Sequence, residues 1–280
     1  MSIKGKVIKV EETVKFLGVI FDKSMTWKPY VQHIIDRCQR RLNLLRVMAG
    51  ARWGASKTTL LTVYKALICS VIDYGSEAYN TASISTKAKL DVIQAKALRI
   101  CCGAMIGTPT SALQVECGQP PLEFWRQRMM ADYGLKISCV PNHPTTEILT
   151  DKWTHHCGKF ARGREPFGSV VKEIIQIRDI PTVPPVACPW KYPATQGQLA
   201  RLLFKSKRKV KKKIIEQWQE RWDYSSTGDF HREMNPTVSY KLKFHTNPRA
   251  TDVQITRLHL GHVKLKNTLL HYWISYRSKL

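Results

Sequence analysis

Residues 16–34 read Phe-Leu-Gly-Val-Ile-Phe-Asp-Lys-Ser-Met-Thr-Trp-Lys-Pro-Tyr-Val-Gln-His-Ile, and within them the hydrophobic period changes. Phe16, Val19 and Phe21 are the bulky residues of a short strand from Lys15 to Phe21. Upstream, Val7, Ile8 and Val10 mark another strand, Ile3 to Val10, with Glu11-Glu12-Thr13 as the turn between the two. Downstream, Val31, Ile34, Ile35, Cys38, Leu42, Leu45 and Met48 recur with the 3.6 period and predict a helix from about Trp27 to Ala49. Thr26 can cap its start, Pro29 is tolerated in its first turn, and Gly50 can end it. The opposite face carries Arg37, Arg40, Arg41 and Arg46.

Further helices follow. One runs from Ser56 to about Tyr74, with Leu60, Tyr64, Leu67, Ile68 and Val71 on one face. Another spans Ser85 to Cys102, with Leu90, Ile93, Ala97, Leu98 and Cys101 inward, Cys102 toward solvent and Gly103 as the stop. Thr110 to Glu116 is a short helix. Pro120-Pro121 starts the next, through Leu122, Trp125, Met129, Met130 and Tyr133. Prolines then crowd residues 141–195, which read as linker apart from a helix at Val170 to Ile177. Leu199 to Trp222 is a basic helix, and Asp252 to His271 a shorter helical segment. The predicted fold is therefore mainly α. A short N-terminal β-hairpin and a helical bundle occupy residues 1–140, a Pro-rich linker 141–195, and a small basic helical unit 196–280.

A chain of 280 residues, 43% hydrophobic, can build a real core in one large domain or two small ones. Lys and Arg total 45 against 21 Asp and Glu, a net charge of +24. Such an excess is costly on a compact fold unless a polyanion neutralises it, and nucleic acid is the commonest such partner. MSIKGKVIKVEE has no apolar signal-peptide core. The longest apolar stretches fall far short of a membrane span, so no membrane partner is expected. Eight Cys without a regular framework fit a reducing compartment.

Phe16-Leu17-Gly18-Val19 and the helix after it resemble the segment that, in reverse transcriptases of non-LTR retrotransposons of the jockey type, follows the polymerase active site. There the FLGV element ends a hairpin called the primer grip, and the next helix opens the thumb. Leu42-Asn43-Leu44-Leu45, Gly50-Ala51-Arg52-Trp53-Gly54-Ala55, Tyr64-Lys65-Ala66-Leu67, Asp73-Tyr74-Gly75 and Gln94-Ala95-Lys96-Ala97-Leu98-Arg99-Ile100 are similar to the family's following elements. Glu116-Cys117-Gly118-Gln119-Pro120-Pro121-Leu122 resembles its E-x-G-x-P-P-L element. Ile214 to Asp223 and Thr256 to His262 resemble segments that follow the ribonuclease H domain. That domain is expected between them, yet Pro189-Trp190 runs almost directly into Tyr192 to Thr195. The resemblance implies a polymerase fragment whose palm lies upstream of Met1 and whose ribonuclease H core is missing. It places Phe16, Leu17 and Gly18 in a primer-grip remnant, and Arg37, Arg40, Arg41 and Arg46 against duplex phosphates.

Two-metal polymerase chemistry needs closely placed carboxylates. Ten Asp occur here and no two are adjacent, so no catalytic residue is assigned. No cofactor is expected either, Mg²⁺ belonging to the intact parent enzyme. Asp151 is followed by Lys and Trp, without the strands of a ribonuclease H site. Cys139, His143, His155, His156 and Cys157 lack the regular spacing of a structural zinc site and read as a polar linker. Lys205, Lys207, Arg208, Lys209, Lys211, Lys212 and Lys213 crowd nine positions with only Glu216 and Glu220 near them. This run reads as a phosphate-binding surface, a nuclear-import-type signal or a solvated basic helix. Trp218 and Trp222, four residues apart, read as core. Two functions fit these residues. The first is a polymerase-derived fragment that binds RNA or DNA without sequence preference and partners the palm and fingers of its parent. The second is a domesticated basic helical protein that binds a protein or an anionic surface.

Overall fold

The computed structural model describes residues 2–3, 6–7, 11–50, 53–138, 171, 193–240 and 248–262. It is mainly helical, with strands only near the N-terminus among the described residues. Two antiparallel pairs form there: β1 (Ser2–Ile3) with β2 (Lys6–Val7), and β3 (Thr13–Phe16) with β4 (Val19–Asp22). The helices are α1 (Lys28–Met48), α2 (Lys57–Tyr64), α3 (Ser70–Asp73), α4 (Ser76–Tyr79), α5 (Ile84–Cys102), α6 (Thr110–Glu116), α7 (Leu122–Ser138), α8 (Pro193–Asp223), α9 (Asp229–Met234) and α10 (Arg249–His259). A π-helical turn, Lys65–Cys69, joins α2 to α3, so the single helix expected from Ser56 to Tyr74 is interrupted. Two compact units result, each assembled from separate stretches. The first takes Met1–Gln39, Val71–Val92 and Arg126–Val210; the second takes Arg40–Ser70, Ile93–Trp125 and Lys211–Leu280. The expected helix at Val170 to Ile177, the linker up to Tyr192, Asp151 and the Cys139 to Cys157 set lie outside the described residues, Val171 excepted.

The N-terminal strands differ from the sequence expectation. Thr13 faces Asp22 and Phe16 faces Val19, so the chain reverses at Leu17-Gly18. Both of these residues have positive φ, 47° and 83°, as a tight hairpin turn of the primed kind requires. Glycine supplies that conformation at no cost, and Glu11-Glu12-Thr13 contains no residue suited to it. FLGV is therefore the hairpin turn itself. The fold then passes to α1 through Asp22. Its carboxylate accepts from the backbone N–H of Thr26 and of Trp27, each at 2.8 Å, and from the Thr26 hydroxyl, also at 2.8 Å. Thr26 Oγ1 in turn accepts from the N–H of Lys28, the first residue of α1, at 3.4 Å, so Thr26 stands at the expected cap and Asp22 holds the approach to it.

Inside the first unit, Trp27 is buried, lies tilted against Phe21 with ring centroids 5.3 Å apart and donates its indole N–H to Thr81 Oγ1 at 2.8 Å. Tyr30 meets Tyr79 edge-on at 5.8 Å and donates its hydroxyl to Tyr74 O at 2.9 Å. Val31, Ile34 and Cys38 of α1 are buried as the 3.6 period predicts. In α7, Met130 is buried, whereas Met129 and Trp125 are only half-buried and Tyr133 is exposed. Leu122, also named for this helix, is buried, and so are Phe124, Ala131 and Leu135; Leu122 to Trp125 belong to the second unit and Arg126 onward to the first.

The second unit buries Leu42, Leu45, Leu60, Leu61, Tyr64, Ile68, Leu98, Leu113, Ile214, Trp218 and Trp222, among others. Met48, expected inward at the end of α1, is exposed, and so are Leu44 and Val47. Cys101 and Cys102 are both buried, which corrects the expectation that Cys102 faces solvent. The reason is tertiary: the outer side of α5 at this point is covered by other stretches of the unit. Arg249 of α10 donates to the carbonyls of Cys101, at 2.5 Å, and Ile100, at 2.9 Å. Arg257 donates to Gly103 O at 3.0 Å. Both arginines therefore satisfy carbonyls at the C-terminal end of α5 that the helix leaves unpaired. A buried amide relay does similar work for the E-x-G-x-P-P-L element. Gln114 donates to Gln94 at 2.9 Å, and Gln94 donates to Pro120 O at 2.9 Å.

Gly103 makes this closure possible. Its φ is +67°, and a Cβ there would sit 2.6 Å from Val253 Cγ2. Gly103→Ala adds overpacking to backbone strain and is expected to cost about 2–4 kcal/mol, read by denaturant unfolding. Gly107→Ala is the control. Nothing lies within 4 Å of its Cβ position, and stability should change by less than about 0.5 kcal/mol.

Candidate nucleic-acid interface

The hairpin tip presents Phe16 and Leu17 to solvent, 62% and 75% exposed. Tyr74 holds the turn by donating its hydroxyl to Leu17 O. On α1, Arg37 and Arg41 are half-buried, while Arg40 and Arg46 are exposed. Arg41 donates to Leu67 O in the π-helical turn, so its guanidinium takes part in holding the fold. Arg46 donates to Asn43 Oδ1 at 2.6 Å.

The basic run lies on α8. Ser206, Val210, Ile214, Trp218 and Trp222 are buried at every fourth position, a single narrow stripe. Lys205, Arg208, Lys209, Lys211 and Lys212 are exposed, and Lys207 and Lys213 are half-buried. Lys212 pairs with Glu216 at 3.8 Å in a largely solvated contact, which adds little to stability. The Lys211 ammonium lies 5.1 Å above the Tyr240 ring. Trp218 and Trp222 are core, as their spacing indicates; Trp222 Nε1 donates to Asn235 O at 3.0 Å. Of the predicted residues, Phe16, Leu17, Gly18, Arg37 and Lys205 to Lys209 belong to the first unit. Arg40, Arg41, Arg46 and Lys211 to Lys213 belong to the second.

A second constellation, inside the second unit, was not legible in the sequence. Lys57 Nζ meets Glu116 Oε1 at 2.6 Å, with side chains 10% and 6% exposed. The other carboxylate oxygen lies 3.4 Å from His259 Nδ1 and 3.7 Å from His231 Nε2. His231 Nδ1 is 3.0 Å from the carbonyl of His259, so α9 and α10 are tied at this point. The His231 ring meets Trp222 edge-on at 5.8 Å. Burial alone would raise the Glu116 pKa. Lys57, the His259 hydrogen bond and both imidazoles outweigh it and hold the carboxylate well below its usual range. Burial would lower Lys57, but Glu116 and the neighbouring Cys117 and Cys102 keep it above its ordinary value. His231 is pushed down by burial, with Glu116 opposing. Cys102 is lowered by a hydrogen bond from Cys117 and by Lys57, and Cys117 is correspondingly raised by Cys102 and by burial.

Among the described residues no group of three or more His, Cys, Asp or Glu is placed to hold a metal ion. This cluster is an electrostatic staple: every charge in it is buried and partnered. In the sequence Glu116 is only the first letter of the E-x-G-x-P-P-L element, and nothing local marks Lys57. The two histidines stand more than a hundred residues further on.

No protein-family model and no solved structure matches the chain. Known proteins do. The chain is 23% identical over 150 residues to the RNA-directed DNA polymerase from mobile element jockey of Drosophila melanogaster, a match of 54% of this chain and 16% of that protein. It is 24% identical over 136 residues to a retrovirus-related Pol polyprotein from type-1 retrotransposable element R1 4 of Nasonia vitripennis, covering 49% of this chain and 35% of that one. Against the R1 Pol polyprotein of Bradysia coprophila it is 20% identical over 250 residues, 86% of this chain and 20% of the relative. The chain thus spans a minor part of the length of these relatives. Together they support a non-LTR retrotransposon, reverse-transcriptase-like origin.

Lys57→Met is expected to cost about 3–5 kcal/mol, because it leaves Glu116 buried and uncompensated; Lys57→Met combined with Glu116→Leu should recover much of that loss. The pH response follows from the same shifts. His231 sits below its ordinary 6.5, so unfolding takes up a proton and stability falls as pH drops through that value. Glu116 sits below its ordinary 4.5, so its contribution is complete above that pH and lost beneath it. Lys57 sits above 10.5, so its contribution is complete below that pH. Thermal melts should therefore weaken in two acid steps, and His231→Asn should remove the upper one.

Proposed function

We propose that this chain is a thumb-like, nucleic-acid-handling segment of a non-LTR retrotransposon-type polymerase. It holds RNA or DNA through backbone phosphates, without sequence preference and without polymerase or nuclease chemistry of its own. The carrying observation is α8, whose period-four buried stripe leaves the Lys205–Lys213 cations on its outer faces. A strongly positive chain needs a polyanion to relieve its self-repulsion, and mobile lysines suit phosphates better than base edges. Arg40 and Arg46, exposed on α1, add cations of the same kind. The relatives are RNA-directed DNA polymerases, which gives nucleic acid as the general partner. Palm and fingers parts of such a polymerase are proposed as its protein partners. Its ten Asp include no adjacent pair to clamp two Mg²⁺ ions.

Fluorescence anisotropy against duplex and single-stranded oligonucleotides over a salt series tests this. Affinity should fall steeply, with a log–log slope of about −4 to −6. Replacing Lys211, Lys212 and Lys213 by Gln should flatten the slope by about 2–3. A slope near zero would refute phosphate contact. Primer extension with Mg²⁺ should give no product, and templated incorporation would refute the assignment of chemistry elsewhere.

A further inference from the structure

A cleft of about 740 Å³ opens in the second unit between the start of α6, the start of α7, and the end of α8 with its following turn. That volume is in the range of small-molecule and single-base sites. Its lining is not that of a phosphate pocket. Arg221 at its rim pairs with Glu123 at 2.9 Å and lies 4.3 Å from the Phe124 ring centroid, and Glu220 adds a carboxylate to the lining, which disfavours phosphate. What remains is flat apolar surface and uncharged hydrogen-bonding capacity. Trp218, Trp222 and Phe124 line the cleft and are themselves buried. Tyr224 lines it as well but is 89% exposed, a large ring presented to solvent.

Two features point to a ligand with hydrogen-bond donors. Gln217 lines the cleft, and its Oε1 is buried with no hydrogen-bond partner among the described residues. An acceptor in that state costs free energy until a donor meets it. The Ser111 hydroxyl makes only long contacts of 3.4 Å, to Thr227 and to Ser225, whose own hydroxyl donates to Thr227 O at 3.0 Å, which leaves Ser111 able to exchange partners. Cations lie close by on the same helix. Lys213 precedes Gln217 by one turn of α8, about 6 Å of rise. A flat face, a buried acceptor and a nearby cationic backbone track match a base and its flanking phosphates.

We propose that this cleft takes one unpaired base of single-stranded RNA or DNA. The base stacks on Tyr224 and its exocyclic amine donates to Gln217 Oε1, while Lys211 to Lys213 hold the adjoining phosphates. The inference rests on the nucleic-acid reading above and extends it from backbone contact to strand state. Duplex bases are already stacked and paired, so the cleft selects single strands.

Anisotropy titrations of the full chain with an adenine-containing single strand and a blunt duplex decide it. Tyr224→Ala should weaken single-strand binding about tenfold, the scale of one lost base stack, and leave duplex binding and the salt slope unchanged. Tyr224→Phe should bind as the parent does. Gln217→Leu should weaken adenine- and cytosine-containing strands and spare oligo-dT, which has no exocyclic amine. A 2-aminopurine probe should be quenched by the parent and not by Tyr224→Ala. Tyr224 is exposed, so the variants should melt with the parent, and the melts are run alongside. Unchanged single-strand affinity in Tyr224→Ala, or an equal loss on duplex, overturns the cleft and leaves the backbone reading standing. Failure of the parent chain to bind either nucleic acid overturns both.

Discussion

Lys57 and Glu116 form an ion pair almost out of solvent, and the second unit is arranged around keeping it partnered. Two charges taken out of water are tolerated only when their attraction and hydrogen bonds offset desolvation. Here the offset comes from four places in the sequence: the start of α2, the end of α6, His231 of α9 and His259 of α10. Removing any one leaves the others with a buried charge or an unmatched imidazole. The remaining links run the same way. Arg249 and Arg257 close the end of α5, and Gly103 provides the space that lets α10 approach. Residues 211–262 are therefore part of the unit that holds residues 93–125.

Charge is sorted by depth in this molecule. Lys57 and Arg249 are buried and matched individually, whereas buried Arg126 leaves Nε and Nη1 without a hydrogen-bond partner among the described residues. The many exposed cations of α8 are held on a helix anchored by one stripe, Ser206 to Trp222 at four-residue intervals. A narrow stripe suffices because two of its members are tryptophans, each burying a large apolar area. The rest of the helix circumference is left for lysine. Arg41, half-buried among the outward arginines of α1, is also matched, since the π-helical turn beside it offers a carbonyl that it meets.

Much of the fold was legible in residue order. The 3.6 period marked α1 and α5 to within a few residues, Thr110 to Glu116 reads as a short helix, and the spacing of Trp218 and Trp222 identified them as core. Positions predicted inward failed mainly at helix ends. Met48 is exposed and Trp125 half-buried because periodicity states which side of a helix is apolar, while neighbouring segments set how far that side is covered. The hairpin was misplaced for another reason. Strand propensity runs straight through Lys15 to Phe21, and only the positive φ available at Leu17-Gly18 reveals the reversal. The short helix α9 has too few residues for any period to register.

By itself, the sequence determined a mainly helical fold, a strong positive charge, a hairpin-to-helix start, and a likeness to jockey-type non-LTR polymerases carried by short motifs in order. These follow from local rules: period, capping, turn chemistry and charge count. Only the tertiary structure decided which charges are buried, which arginines hold the fold, and where an aromatic cleft opens. Lys57, Glu116, His231 and His259 share no local pattern, and nothing in their spacing brings them together. Their meeting is a consequence of packing, because a buried carboxylate takes its partners from whichever segments the core places beside it.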